Sequence, residues 1–117
     1  MGRIYSATFL AGNVTTDEVI SVAGFEVPRY DTYVLREVLA LIPSGLTPEI
    51  SATIGLYDVP DDIYYPLIRL FDNGYDNYAT AAWTGRLVAT PPYGIALLDT
   101  SVGGVVNWSF SGYNLTP

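Results

Sequence analysis

The sequence predicts an all-β domain, built as a sandwich or barrel of about eight strands. Short runs rich in Val, Ile, Thr, Tyr and Phe recur along the chain, each bounded by Gly, Pro, Asn or Asp. The chain has 117 residues, the usual size of one domain with its own core, and it shows no internal repeat or linker-like segment. We therefore expect residues 1–117 to form a single β-sandwich domain.

The first predicted strand covers residues 3–10, where apolar and polar side chains alternate with the period of two expected of a strand. The second covers residues 18–23 and is followed by the turn-rich segment GFEVPRYD. The remaining apolar runs are separated by turn residues and predict six further strands, at 32–42, 50–57, 67–71, 78–88, 93–98 and 105–115.

Two segments also fit a helix. Residues 31–45 carry four apolar residues at helical spacing, with Asp31 or Thr32 as a possible cap: Leu35, Val38, Leu39 and Ile42. The Thr-Tyr-Val opening and the apolar residues on both faces favour a central strand covered on both sides. In residues 61–74, Asp61 could cap a helix, but Pro66 would remove one of its hydrogen bonds, so we predict a strand there too.

The composition excludes most enzyme chemistry. There is no histidine, cysteine or lysine, and these side chains supply most nucleophiles, proton shuttles, Schiff bases and soft-metal ligands. The net charge of −7 disfavours nucleic acid as a partner. There is no apolar run of about 18 residues, so we expect no membrane span, and the first residues do not resemble a secretion signal. We expect no catalytic residue, metal or cofactor.

The lack of lysine also bears on assembly. Sheet edges in monomeric β proteins are commonly protected by lysine, and that protection is missing here. We infer that some edges or faces are covered by other protein chains.

Three segments carry a family resemblance: the opening RIYSATF, the block VPRYDTYVLREV, and the pair WTGRLV and NWSFSGYNL. They resemble the small jelly-roll virion proteins encoded among tailed-bacteriophage structural genes. The matching positions are Val27, Pro28, Val34, Leu35, Arg36, Glu37, Val38, Trp83, Gly85, Arg86, Val88, Ser111, Gly112, Tyr113 and Leu115. The chain departs from the family pattern at Pro91-Pro92, where related chains have a glycine-containing turn.

The resemblance implies a jelly-roll-like antiparallel β-sandwich of about eight strands. It also implies a capsid decoration (cement) protein on the virion surface, or a related head or tail accessory protein. Such a protein binds the major capsid protein or another virion protein between capsid subunits, and we expect a homo-oligomer, specifically a trimer. The alternative is a receptor- or carbohydrate-binding module on a tail or head fibre.

The candidate partner-binding residues are aromatic and basic. Ten tyrosines favour binding over catalysis, because tyrosine provides large contact area at a small entropic cost. Four of them flank two acidic loops at residues 58–62 and 72–77 and predict an aromatic-acidic patch: Tyr57, Tyr64, Tyr65 and Tyr75. Core packing is the alternative role for these tyrosines. Arg36 and Arg86 are candidates for charged contacts in an oligomer, with ion pairing or strand-edge packing within the domain as the alternative.

The aspartates of the two loops are interpreted as solvated loop residues. A glycosidase would need two carboxyl groups at a defined separation, and proximity in sequence does not provide it. Residues 72–77 offer oxygen ligands on a turn but lack the spacing and closing glutamate of the helix-loop-helix calcium site, so we expect no metal there.

Overall fold

The computed structural model describes residues 3–13, 19–21, 31–74 and 77–116, with the backbone alone for residues 3–7 and 19–21. Its regular elements in these ranges are all strands. They are β1 (Arg3–Gly12), β2 (Val19–Ser21), β3 (Thr32–Ile42), β4 (Gly45–Asp58), β5 (Ile63–Asn73), β6 (Ala79–Ala89), β7 (Tyr93–Asp99), β8 (Val102–Gly104) and β9 (Asn107–Thr116). The all-β prediction is confirmed, and both segments that also fitted a helix are strands.

The strands form two antiparallel sheets. Sheet A has the order β1-β9-β3-β6 and sheet B the order β2-β7-β4-β5, and the short β8 pairs with the first half of β4. With β8 set aside, the hairpin-like pairs β1–β9, β2–β7, β3–β6 and β4–β5 form one folded ribbon, joined by the β9–β3 and β7–β4 contacts. This is the connectivity of a jelly roll, and it confirms the predicted fold class.

The core lies between the sheets and follows the period of two. On β4, Ile50, Ala52 and Ile54 are buried while the residues between them are partly exposed. The opposite sheet contributes Trp108 and Phe110, whose ring centroids lie 5.9 Å apart. The largest fully buried apolar side chains are Trp108, Phe110, Leu35, Ile42, Ile50, Ile54, Ile95, Leu97 and Val38.

An aromatic pair borders the core. Phe9 stacks on Tyr33 with ring centroids 5.3 Å apart, and both rings pack against the core. Burial raises the pKa of the Tyr33 phenol above its ordinary value of 10.0, and the negative charge of Asp31 raises this pKa further.

A buried polar contact joins the two sheets. The Asp99 carboxylate on β7 accepts a hydrogen bond of 2.9 Å from Trp108 Nε1 on β9 and another of 2.9 Å from the Ser101 backbone amide. Asp99 and Trp108 are almost completely buried. Because a buried carboxylate is costly unless its oxygens are hydrogen-bonded, this contact fixes the position of one sheet against the other.

The predicted boundaries agree best for β3, where residues 32–42 are the observed strand. Strand β8 was not predicted, because its sequence Val-Gly-Gly reads as a turn. Its partner β4 consequently starts at Gly45, five residues before the predicted start at Ile50. Of the predicted strand 18–23, residues Glu18, Val22 and Ala23 lie outside the described residues, as do Val27 and Pro28. Within the described ranges there is no helix of the length and apolarity needed to cross a bilayer.

Candidate partner-binding surfaces

Register irregularities meet at one level of sheet A. Against β9, strand β1 carries an extra residue between Thr8 and Leu10, and β3 carries one between Leu35 and Glu37. Thr8 and Glu37 both pair with Ser111, so the two bulges flank the same residue of β9. A bulge bends a sheet, increases its twist and redirects side chains. The two bulges beside Ser111 have these effects at the same level of sheet A.

The register changes again between β3 and β6. Leu35 pairs with Leu87 and Glu37 pairs with Thr84, so the single residue Arg36 lies opposite two residues of β6. Those two residues are Gly85 and Arg86. At this level β1 and β3, the two neighbours of β9, each contain one residue more than β9 does.

Glycine at position 112 permits this arrangement. A Cβ atom on Gly112 would lie 1.9 Å from the Val34 carbonyl oxygen, which no side chain allows. A similar site occurs in sheet B, where a Cβ on Gly55 would lie 1.9 Å from the Tyr65 carbonyl oxygen, next to the β4–β5 irregularity. In both sheets a glycine lies where the neighbouring strand changes register.

The bulges border an open depression of about 590 Å³ on sheet A, which we call the arginine depression. Its lining consists mainly of polar side chains: Thr8, Arg36, Glu37, Thr84, Ser111, Gly112 and Tyr113. Arg86 lies beside it on β6, so the structure brings the two candidate arginines to one region of one sheet. Both are exposed, and within the described part of the chain neither guanidinium forms an ion pair or a side-chain hydrogen bond.

Apolar side chains flank the arginine depression. On β3, Leu39 is 46% exposed and Leu41 is 39% exposed, although β3 is an inner strand of its sheet. Val88 on β6 is 44% exposed. The expectation that both faces of β3 are covered is therefore wrong for the single chain: Val38, Ala40 and Ile42 pack in the core, whereas the alternate leucines face outwards.

The candidate tyrosines do not form one patch. Tyr57 and Tyr64 are direct cross-strand partners in the β4–β5 ladder and lie on the same side of sheet B. Tyr65 lies on the opposite side by strand alternation, with its ring edge against Tyr93 at a centroid distance of 6.3 Å. Tyr75 lies outside the described residues.

Contacts within the chain already engage the paired tyrosines. The Tyr57 hydroxyl donates to the Asp62 carboxylate, and the Tyr64 hydroxyl donates to Thr53 Oγ1 at 2.9 Å. Burial raises the pKa of the Tyr64 phenol above 10.0, while the hydrogen bond with Thr53 lowers it by a smaller amount. Both rings are half-buried, so this pair offers a partner less area than free side chains would.

The two acidic loops lie at opposite ends of the β4–β5 hairpin. Asp58 pairs with Ile63 at one end, and Ile50 pairs with Asp72 at the other. The eight-residue offset along β4 corresponds to about 26 Å at 3.3 Å per residue. Asp58 and Asp72 therefore do not converge in one cleft. This separation excludes a glycosidase mechanism in which these two carboxylates form the catalytic pair.

The described ranges contain no group of three or more carboxylates placed to hold a metal ion. The Asp72 carboxylate accepts a hydrogen bond of 3.1 Å from the Thr80 backbone amide. Asp76, the second aspartate of that loop, lies outside the described residues.

The sequence pointed to Arg36 and Arg86 but missed the hydroxyl residues that surround them. Thr8, Thr84 and Ser111 come together through register shifts that leave no pattern in the sequence. The local signals are the glycines at 85 and 112, each within an otherwise regular strand pattern.

No family model, curated protein or solved structure matches this chain.

Proposed function

We propose that this chain is a non-enzymatic structural protein that functions by binding other protein chains through its exposed surface. The observation that carries the proposal is the exposure of Leu39 and Leu41 on an inner strand of sheet A. Water-exposed apolar residues beside a polar depression are typical of protein-protein interfaces, which combine an apolar centre with polar contacts.

The edges of the sheets support the same proposal. Strand β6 is eleven residues long, ends sheet A, and contains neither lysine nor proline. Among the described residues no strand pairs with the outer edge of β6. At that edge the Thr80 backbone amide donates a hydrogen bond to the Asp72 carboxylate. Strand β5, at the edge of sheet B, contains Pro66 and a register shift, both of which discourage pairing. Strand β6 is therefore an unprotected edge in the part of the chain that the structure describes.

Within this class we propose a capsid decoration protein of a tailed bacteriophage, bound between major capsid subunits on the virion surface as a homotrimer. Its support is the motif resemblance together with the jelly-roll connectivity, which recurs in viral capsid proteins. The same fold also hosts lectins and other functions, so the exposed surface and the resemblance carry more weight than the fold.

A receptor- or carbohydrate-binding module is the second candidate, and the cross-strand pair of Tyr57 and Tyr64 favours it. Such a module would bind a glycan, and replacing both tyrosines with alanine would abolish that binding. A Tyr65→Ala variant is the matched control, because Tyr65 faces the other side of β5.

The primary test is co-sedimentation with capsids assembled from the major capsid protein encoded in the same genome. We expect saturable binding with a stoichiometry fixed by the capsid lattice. The double variant Leu39→Ser/Leu41→Ser should bind at least about tenfold more weakly, because it removes the apolar contact area. A chain that stays in the supernatant at every concentration would contradict the proposal.

A further inference from the structure

We propose that identical copies assemble into a ring in which the turn between β4 and β5 of one copy binds the arginine depression of the next. This inference rests on the proposed homo-oligomer and identifies the two surfaces that would form it. The occupant of the depression is a second copy of this chain, and charge complementarity is the reason.

The turn at residues 59–62, which we call the acidic turn, presents carboxylates at the tip of a long hairpin. Asp61 and Asp62 are exposed there, at the end of the 14-residue strand β4 and the 11-residue strand β5. The Tyr57 hydroxyl holds Asp62, whose φ of 54° belongs to a tight turn. The Asp61 carboxylate has no ion pair or hydrogen bond within the described part of the chain.

The arginine depression offers the matching chemistry. Arg36 lines the depression and Arg86 lies beside it, and these two guanidinium groups outnumber the one carboxylate of the lining, Glu37. Neither arginine has an ion pair within the described part of the chain, and a guanidinium is the side chain best suited to bind a carboxylate through two parallel hydrogen bonds. The hydroxyls of Thr8, Thr84 and Ser111 add further donors. The depression has a volume of about 590 Å³ and is open to solvent, so it can receive side chains of a turn.

The two surfaces of one copy cannot meet each other. The acidic turn belongs to sheet B, whereas the depression opens on the outer side of sheet A, away from sheet B. The contact must therefore join different copies through two different surfaces. Such a contact is heterologous, and it closes into a ring when the rotation between copies divides a full turn, as in a trimer.

Charge reversal separates this contact from a general effect of net charge. The chain carries −7, so Arg36→Glu gives −9 and Asp61→Arg gives −5. If only mutual repulsion mattered, Asp61→Arg would strengthen association and Arg36→Glu would weaken it. The proposed contact predicts that both single variants weaken association by at least about tenfold. The double variant, again at −7, should restore it, because glutamate then faces arginine.

Sedimentation velocity over a range of concentrations measures the association, and circular dichroism verifies that each variant is folded. Arg69→Glu is the matched control, since it also gives −9 but lies on β5 of sheet B, where its guanidinium is 5.5 Å from the Phe71 ring centroid. This control should associate more strongly than Arg36→Glu. If Arg36→Glu fails to fold, Arg86→Glu replaces it in the same comparison.

Three results would overturn the ring contact: a wild-type chain that is monomeric throughout, an Asp61→Arg variant that associates as well as wild type or better, or a double variant that is no better than the singles. Each is distinguishable from failure of the proposed function. A chain that still co-sediments with capsids in any of these cases keeps its structural role and loses only this mode of self-assembly.

Discussion

Replacing Asp99 with alanine should lower the free energy of unfolding by about 2–4 kcal/mol. The carboxylate accepts from Trp108 Nε1 and from the Ser101 amide, each at 2.9 Å, and the site is closed to solvent. Leaving a buried donor without a partner costs about 1–3 kcal/mol, so two donors give about 2–6 kcal/mol. Alanine also removes the cost of burying a carboxylate, which offsets part of the loss and places the expected value in the lower half of that range.

The measurement is urea unfolding followed by far-ultraviolet circular dichroism, which does not depend on the tryptophan signal. Asp99→Asn keeps the side-chain volume and one acceptor oxygen, so it should cost about half as much as alanine. A double-mutant cycle between Asp99→Ala and Trp108→Phe should give a coupling energy of about 1–2 kcal/mol, because each variant removes the hydrogen bond between the two side chains. A loss below about 0.5 kcal/mol for Asp99→Ala, or a coupling energy near zero, would refute the role of this contact in joining the sheets.

Three further predictions concern the backbone, the tyrosines and the outer face. Gly112→Ala should destabilise the fold by about 3 kcal/mol in urea unfolding, because its Cβ would overlap a neighbouring carbonyl oxygen; an unchanged midpoint would be inconsistent with the bulged register. Because burial raises the pKa of Tyr33 and Tyr64 in the folded chain, their contribution to stability is complete below pH 10.0 and is lost as the pH rises through the folded-state values. Unfolding titrations at alkaline pH should show this loss, and Tyr64→Phe should reduce it; an equal loss in the variant would contradict the assignment. Leu39→Ser/Leu41→Ser should cost less than about 1 kcal/mol per site in thermal unfolding, since both side chains are already about half exposed, whereas a larger loss would mean that they support the core.

Strand β3 shows what the sequence could predict. Its apolar pattern and its flanking turn residues defined residues 32–42 correctly, because a long strand within a sheet leaves a strong local signal. The same pattern could not reveal which face is covered. Leu39 and Leu41 look like core residues in the sequence, and only the jelly-roll arrangement places them outside.

The arginine depression shows what the sequence could not predict. It depends on the pairing of β1, β3 and β6 around Ser111, and register is a property of strand pairs rather than of any one segment. Tyr57, Tyr64 and Tyr65 do not form the predicted single patch for a related reason. Adjacent residues of a strand point to opposite faces, so Tyr64 and Tyr65 could not both join Tyr57.

Hydroxyl-radical footprinting of the chain, free and mixed with capsids, asks whether the exposed face of sheet A is covered by other proteins. Leu39 and Leu41 should react readily in the free chain at low concentration and become protected on the capsid, while Trp108, buried in both states, serves as the unreactive reference. Equal reactivity of the two leucines in both samples, with the chain bound to the capsid, would show that this face stays open to water and would contradict the proposed role.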